Sequence, residues 1–226
     1  MKKILTFLSV ALMAGTMAFA QSAGQTTTPQ GIVTASDFFK SVSDYYASFY
    51  DYTCTVSIQM GSSYQNGTMY FKRPELVRID FTRPAGQVFN FDGESLQIYL
   101  PGQNAILEQS VTGRSQGALG LSLIRRYYTI QYEVSQEPVP LDEGSSVMVV
   151  NLICTRRSAS EAFKTIKLSI SPKSKLIVRA KAESQSGDTY IIDFSNYSVN
   201  VGLSARRFIY DAPSSANNFN NFLYEE

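Results

Sequence analysis

The spacing of apolar positions divides the chain into three rhythms. Residues 4–14 are almost continuously apolar. Phe38, Val42, Tyr45, Tyr46 and Phe49 then recur at helical offsets, which predicts one amphipathic helix over about 36–49 with an aromatic stripe on one face. Thr34-Ala-Ser-Asp37, just ahead of it, has the form of a capping box. From Cys54 onward apolar and polar residues alternate in short segments parted by turn residues, the period of half-buried strands.

Six such segments come first, over about 54–60, 64–72, 76–81, 88–91, 95–100 and 105–111. Gly61-Ser-Ser parts the first two. Pro74 and Pro84 flank the third, at strand ends where a missing N–H is tolerated, and Asp92-Gly93 marks a hairpin between the fourth and fifth. The alternation breaks over 113–127. Glycines there give way to Leu119, Leu121, Leu123 and Ile124, a short apolar helix ending in Arg125-Arg126. Strands resume over about 128–134, 146–156, 162–170, 175–183, 188–197 and 205–210. Stretches 146–154 and 190–194 are apolar on both faces.

Roughly a dozen consecutive antiparallel strands of this kind predict a mainly β fold with some α, either a barrel or a strongly curved single sheet. A sheet that curls must cover its inner face, and two apolar helices are available as a lid. The pattern gives one domain over 34–213, between a flexible lead-in at 21–33 and a polar, Asn-rich tail at 214–226.

Lys2 and Lys3, the apolar run, and Ala18-Phe19-Ala20 before Gln21 have the form of a secretory signal peptide over residues 1–20, which places the mature chain in the periplasm. An uncleaved anchor is the alternative, but the run is shorter than the roughly 20 residues that span a bilayer. No Cys follows the cleavage site, so no lipid anchor is expected. Cys54 and Cys154 would enter an oxidising compartment, where a disulfide is allowed. Two buried free thiols on strand faces are the equal alternative; the choice turns on a Cα separation below about 7 Å.

Composition narrows the chemistry. The 226 residues include 20 Lys+Arg and 19 Asp+Glu, a net charge of +1, 44% hydrophobic residues, 14 Phe and 14 Tyr, and no His or Trp. Histidine is the usual general base, the usual partner of a Ser or Cys nucleophile and the commonest metal ligand. Its absence removes most hydrolase and zinc-enzyme readings, so neither catalysis nor a metal or other cofactor is expected. Near-zero charge argues against nucleic-acid binding, which needs clustered Lys and Arg. Gly113-Arg-Ser115-Gln-Gly117 fits the G-x-S-x-G elbow, but that elbow requires a later His, and a glycine hinge is the plainer reading. Asp92/Glu94 and Asp142/Glu143 read as solvated turn ends. Arg73, amid apolar segments, is either an exposed solubilising residue or a guanidinium donating several hydrogen bonds to carbonyls of an overlying helix.

From Tyr70 the sequence YFKRPELVRIDFTRPAGQVFNFDGESLQIYLPGQN closely resembles the periplasmic outer-membrane lipoprotein carrier family, LolA. Lys72-Arg73-Pro74, a strand, Pro84, the Asp92-Gly93 hairpin and Tyr99-Leu100-Pro101 carry the resemblance. More loosely it runs from the first helix, through Ala47-Ser48-Phe49, to Phe208-Ile-Tyr-Asp-Ala-Pro213. It implies an incomplete, half-open antiparallel β-barrel of about 11–12 strands with a helical lid over an apolar cavity, a monomer that takes the acyl chains of triacylated lipoproteins from an inner-membrane ABC-type release complex to an outer-membrane acceptor. It also implies that Arg73 latches the lid and that Val77 handles cargo, although an aromatic is frequent where this chain has Val77. Leu76, Phe89, Phe91, Ile98, Leu100, Leu119, Leu121 and Ile124 are the further candidates for the cavity and lid. Residues 137–160 and the tail lack a clear counterpart. A periplasmic sensor of the same fold, binding lipid or polypeptide, is the alternative.

Overall fold

The computed structural model describes residues 33–110 and 121–222. The signal segment 1–20, the lead-in to residue 32, the Gly113–Gly117 stretch, Leu119 and the last four residues of the tail lie outside them.

Helix α1 (Ala35–Ala47) begins where the capping box places it: the Asp37 N–H donates to the Thr34 hydroxyl at 3.1 Å, and that hydroxyl donates to the Asp37 carboxylate at 2.7 Å. Its buried face is Ala35, Phe38, Phe39, Val42 and Ser43. Phe39, fully buried, is not on the predicted stripe, whereas Tyr45, which is on it, is 41% exposed. The stripe is rotated because α1 is sandwiched near its start and meets solvent toward its end.

Six strands follow: β1 (Asp51–Met60), β2 (Ser63–Lys72), β3 (Leu76–Arg83), β4 (Val88–Phe91), β5 (Ser95–Leu100) and β6 (Ala105–Ser110). After the short helix α2 (Leu121–Tyr127) come β7 (Tyr128–Tyr132), β8 (Val139–Pro140), β9 (Met148–Arg156), β10 (Phe163–Ile170), β11 (Ile177–Ser184) and β12 (Thr189–Val199). Each matches a predicted segment except β8, a two-residue strand that pairs with β9 and covers Val149. At Asp92-Gly93 the turn is held by the Asp92 carboxylate, which accepts from the N–H groups of Glu94 and Ser95.

The strands form one open sheet in the order β13-β6-β5-β4-β3-β2-β1-β12-β11-β10-β9-β7. All pairings are antiparallel except β13 (Asn217–Asn220), which adds to β6 in parallel. Two meanders are thus joined where β1 pairs with β12. On the inner face, alternate residues such as Val56, Met69, Ile79, Phe89, Leu152, Leu168 and Ile192 pack with Phe38, Phe39 and Val42 of α1 and with Leu121 and Ile124 of α2 in one continuous core. The two edges, β13 and β7, are not joined: the barrel is incomplete, as the resemblance implies.

Residues 205–210 are not a strand. They leave the sheet as a strap along its outer face, with a 3-10 turn at Ala205–Phe208. Phe208 is buried there, the Asn90 side chain donates to its carbonyl at 2.9 Å, and Arg78 donates to the Arg207 carbonyl at 3.0 Å. Phe208 is the buried residue of this segment, while Ile209 is exposed, so the strap is held by one apolar anchor and by side-chain bonds to its carbonyls rather than by a strand ladder. The tail then continues into β13, where Asn104 bonds the Ser215 carbonyl.

Candidate functional site

The inner face of the sheet and the two helices enclose a cavity of about 50 Å³. Its walls are Tyr52, Val56 and Ile58 of β1, Met69 of β2, Ile79 of β3, Leu168 of β10, Ile177 and Ala180 of β11, and Ile192, Phe194 and Tyr197 of β12. Its cover is Tyr46 of α1 with Leu121 and Ile124 of α2. Ile79 and Leu168 face the same small space although β3 and β10 are five strand spacings apart in the sheet, roughly 24 Å if the sheet were flat. The sheet is therefore strongly curled, and the right-handed twist of strands supplies the curl.

Nothing in the wall is charged. Its polar atoms are phenol hydroxyls, and those of Tyr46 and Tyr197 close a ring with one backbone unit. The Ile177 N–H donates to Tyr46 at 3.0 Å, Tyr46 donates to Tyr197 at 3.1 Å, and Tyr197 donates to the Ile177 carbonyl at 3.0 Å. This ring ties the end of α1 to β11 and β12. Around it Tyr46, Phe49, Tyr52, Phe71 and Tyr197 make a run of tilted and edge-on aromatic contacts. Burial pushes Tyr46, Tyr52 and Tyr197 above the usual phenol range, so all three keep their protons at neutral pH.

Of the residues singled out in the sequence, Leu121 and Ile124 line the cavity. Val77, Phe89, Phe91 and Ile98 are buried on the same inner face, and half-buried Leu100 packs against that core, but all five sit farther along the sheet, toward β4 and β5. Leu76 precedes Val77 in β3 and so points to the other face. Arg73 follows β2; its N–H donates to the Tyr50 carbonyl at 3.0 Å and its guanidinium lies 5.3 Å from the centre of the Tyr50 ring, three residues past α1. Most of the wall comes from β1, β11 and β12, whose inward alternation is legible at Val56, Ile58 and Ile192. What the sequence lacks is any sign that the first strand pairs with the twelfth.

Cys54 and Cys154 are free and buried on β1 and β9. Burial pushes each thiol up to about 12. Among the described residues no cluster of acidic and thiol side chains could hold a metal ion, and no helix is long and apolar enough to cross a membrane.

The molecule is thus a half-open barrel with helices over an apolar interior. The chain belongs to the Outer membrane lipoprotein carrier protein LolA family, which it matches over residues 50–211. Solved structures share the fold at low identity. An uncharacterized conserved protein from Thermus thermophilus is 15% identical with a TM-score of 0.55, covering 82% of this chain and 98% of its own. MucB is 12% identical with a TM-score of 0.50, covering 79% of this chain and 63% of its own. No curated protein matches the chain.

Proposed function

We propose that the protein is a periplasmic carrier that shields the acyl chains of triacylated lipoproteins, receiving them from an inner-membrane ABC-type release complex and passing them to an outer-membrane acceptor. The observation that carries this reading is the cavity wall: uncharged throughout, and closed on one side by two short helices. Each buried methylene is worth about 0.8 kcal/mol, so an acyl chain does not cross water unaided. A carrier must hide the chain and still release it.

At about 50 Å³ the cavity is far below the roughly 300 Å³ at which ligand pockets begin. An acyl chain needs more room than this, so loading has to move the helical cover. The wall strands are locked by ladders of backbone hydrogen bonds, whereas Leu121 and Ile124 of α2 make apolar contacts that an entering methylene chain replaces. Arg73, whose guanidinium lies against the Tyr50 ring three residues past α1, is the residue we assign to latching the lid. Replacing it with Leu is expected to leave the fold intact and to change how readily cargo is released.

The test is purification of the mature protein from the periplasm followed by mass spectrometry. Co-purifying triacylated lipoprotein, retained or lost differently in Arg73→Leu, supports the carrier. Consistent absence of acylated cargo in both forms refutes it, and recovery of an unacylated polypeptide in its place points to a sensor.

A further inference from the structure

The two helices over the cavity are fastened in different ways. Helix α1 is tied down at both ends. At its start the Val33 N–H donates to the Gln136 side-chain carbonyl at 3.0 Å, the Tyr132 hydroxyl donates to the Val33 carbonyl at 3.0 Å, and the Lys175 ammonium stands 4.4 Å from the centre of the Phe38 ring. At its end the Tyr46–Ile177–Tyr197 ring binds it to β11 and β12, and just beyond, the Tyr50 N–H donates to the Asn200 side chain at 2.7 Å. Between these ties Phe39 and Val42 are fully buried. The buried residues of α2 are Leu121 and Ile124. It is joined to the sheet at its last residue, where the Tyr127 carbonyl accepts from the Arg157 N–H at 2.8 Å, and among the described residues none of its side chains hydrogen-bonds to another element.

We propose that Tyr46 and Tyr197 are positioning residues that hold α1 as a fixed wall of the cavity, so that an acyl chain enters past α2. This rests on the acyl-carrier reading and names the entrance of that same cavity. Lifting α1 breaks the three hydrogen bonds of the ring and draws Phe39 and Val42 out of the core, and a hydrocarbon chain has no donor or acceptor to replace the bonds. Lifting α2 uncovers Leu121 and Ile124, and the entering methylenes bury the same kind of apolar surface in their place. The second displacement costs less. Arg73, against the Tyr50 ring, secures the same end of α1 as the phenols do, so the loss of either tie opens a second way out beside that helix.

Pairs of nitroxide labels read the two helices separately. Lys40 of α1, Arg125 of α2 and Lys181 on the outer face of β11 are exposed, so Lys40→Cys/Lys181→Cys and Arg125→Cys/Lys181→Cys can carry the labels in the folded mature protein, where Cys54 and Cys154 are buried. Dansyl-labelled undecanoic acid is the probe, its uptake followed by fluorescence. With the probe bound, the distance across the Arg125 pair is expected to lengthen and that across the Lys40 pair to stay as it was. Tyr197→Phe removes the proton given to the Ile177 carbonyl. It is expected to speed probe release roughly fivefold, as for one lost hydrogen bond, and to let the Lys40 pair lengthen on loading. A variant that was merely less stable would leave the Lys40 distance of its folded molecules unchanged. Movement of the Lys40 pair in the loaded wild-type protein overturns the proposal without the variant having to fold, and so does an Arg125 pair that stays in place. A folded Tyr197→Phe protein that releases the probe at the wild-type rate overturns it too. In all three cases the probe is bound and the carrier reading stands. If no probe binds at all, the carrier reading fails and the proposal with it.

Discussion

At the scale of single residues, Asp51 holds three consecutive backbone N–H groups on one carboxylate. It is buried at the start of β1, and its carboxylate accepts from the N–H groups of Val201, Gly202 and Leu203 at 2.7, 3.2 and 2.9 Å. This fixes the point where the strap leaves β12. Asp51→Ala is expected to cost about 3 kcal/mol, because charge-assisted bonds are lost and buried donors are left unpaired; Asp51→Asn, which keeps one acceptor, should cost less, and urea unfolding measures both. Gly67 is required for a different reason. A Cβ there would sit 2.5 Å from the Asp80 carbonyl oxygen, at the register shift between β2 and β3, so any side chain forces the two strands apart. The buried thiols set the alkaline limit. Cys54 and Cys154 rise from 9.0 to about 12 on folding, so above pH 9 the unfolded chain releases protons that the folded chain retains. Their contribution to stability is complete below about 9 and is lost as the pH rises toward 12. Denaturant midpoints across that range should fall steadily, and a thiol reagent should label neither cysteine until the protein unfolds.

At the scale of elements, the C-terminal segment departs most from its sequence pattern. The polar, Asn-rich stretch reads as a tail, yet part of it is strand β13; the segment 205–210 before it reads as a strand, yet it is a strap. Neither is legible locally: Phe208 is buried only because β3 to β5 present an outer face with Val88 and Asn90 to receive it, and Asn217 finds a partner only because β6 is an edge. An exposed edge invites pairing with other chains, and covering it is a common solution. Ending the chain at Pro213 is expected to preserve the fold, to lower its stability by about 1–2 kcal/mol, and to speed hydrogen exchange along β6. Exchange there that is indifferent to the truncation would mean that β13 is not formed in solution. The inner-face strands, by contrast, are legible almost to the residue, since period-2 alternation is a property of the strand alone.

At the scale of the whole molecule, the curl of the sheet brings β3 and β10 to one cavity, and its volume decides what can enter. Ala180 stands in the wall with space beside it. Ala180→Leu should fill that space, keep the protein at least as stable, and weaken acyl-probe binding roughly tenfold, the scale of discrimination by an apolar pocket. Unchanged binding would place the ligand outside this cavity.

The sequence by itself determined eleven of the strands along the chain, the cap and position of α1, the absence of histidine chemistry and, through Lys72-Arg73-Pro74 and the segments after it, the family. These are local facts, written in spacing and in residue type. Only the tertiary structure decided which buried residues face the cavity and which are ordinary core. Val77 and Ile79 alternate identically on β3, but only Ile79 reaches the cavity, because the cavity is bounded by strands that pairing between β1 and β12 brings together. The Tyr46–Ile177–Tyr197 ring belongs to the same category. Its members lie 131 and 20 residues apart in the chain, and a hydrogen bond depends on distance in space, on which strand periodicity is silent.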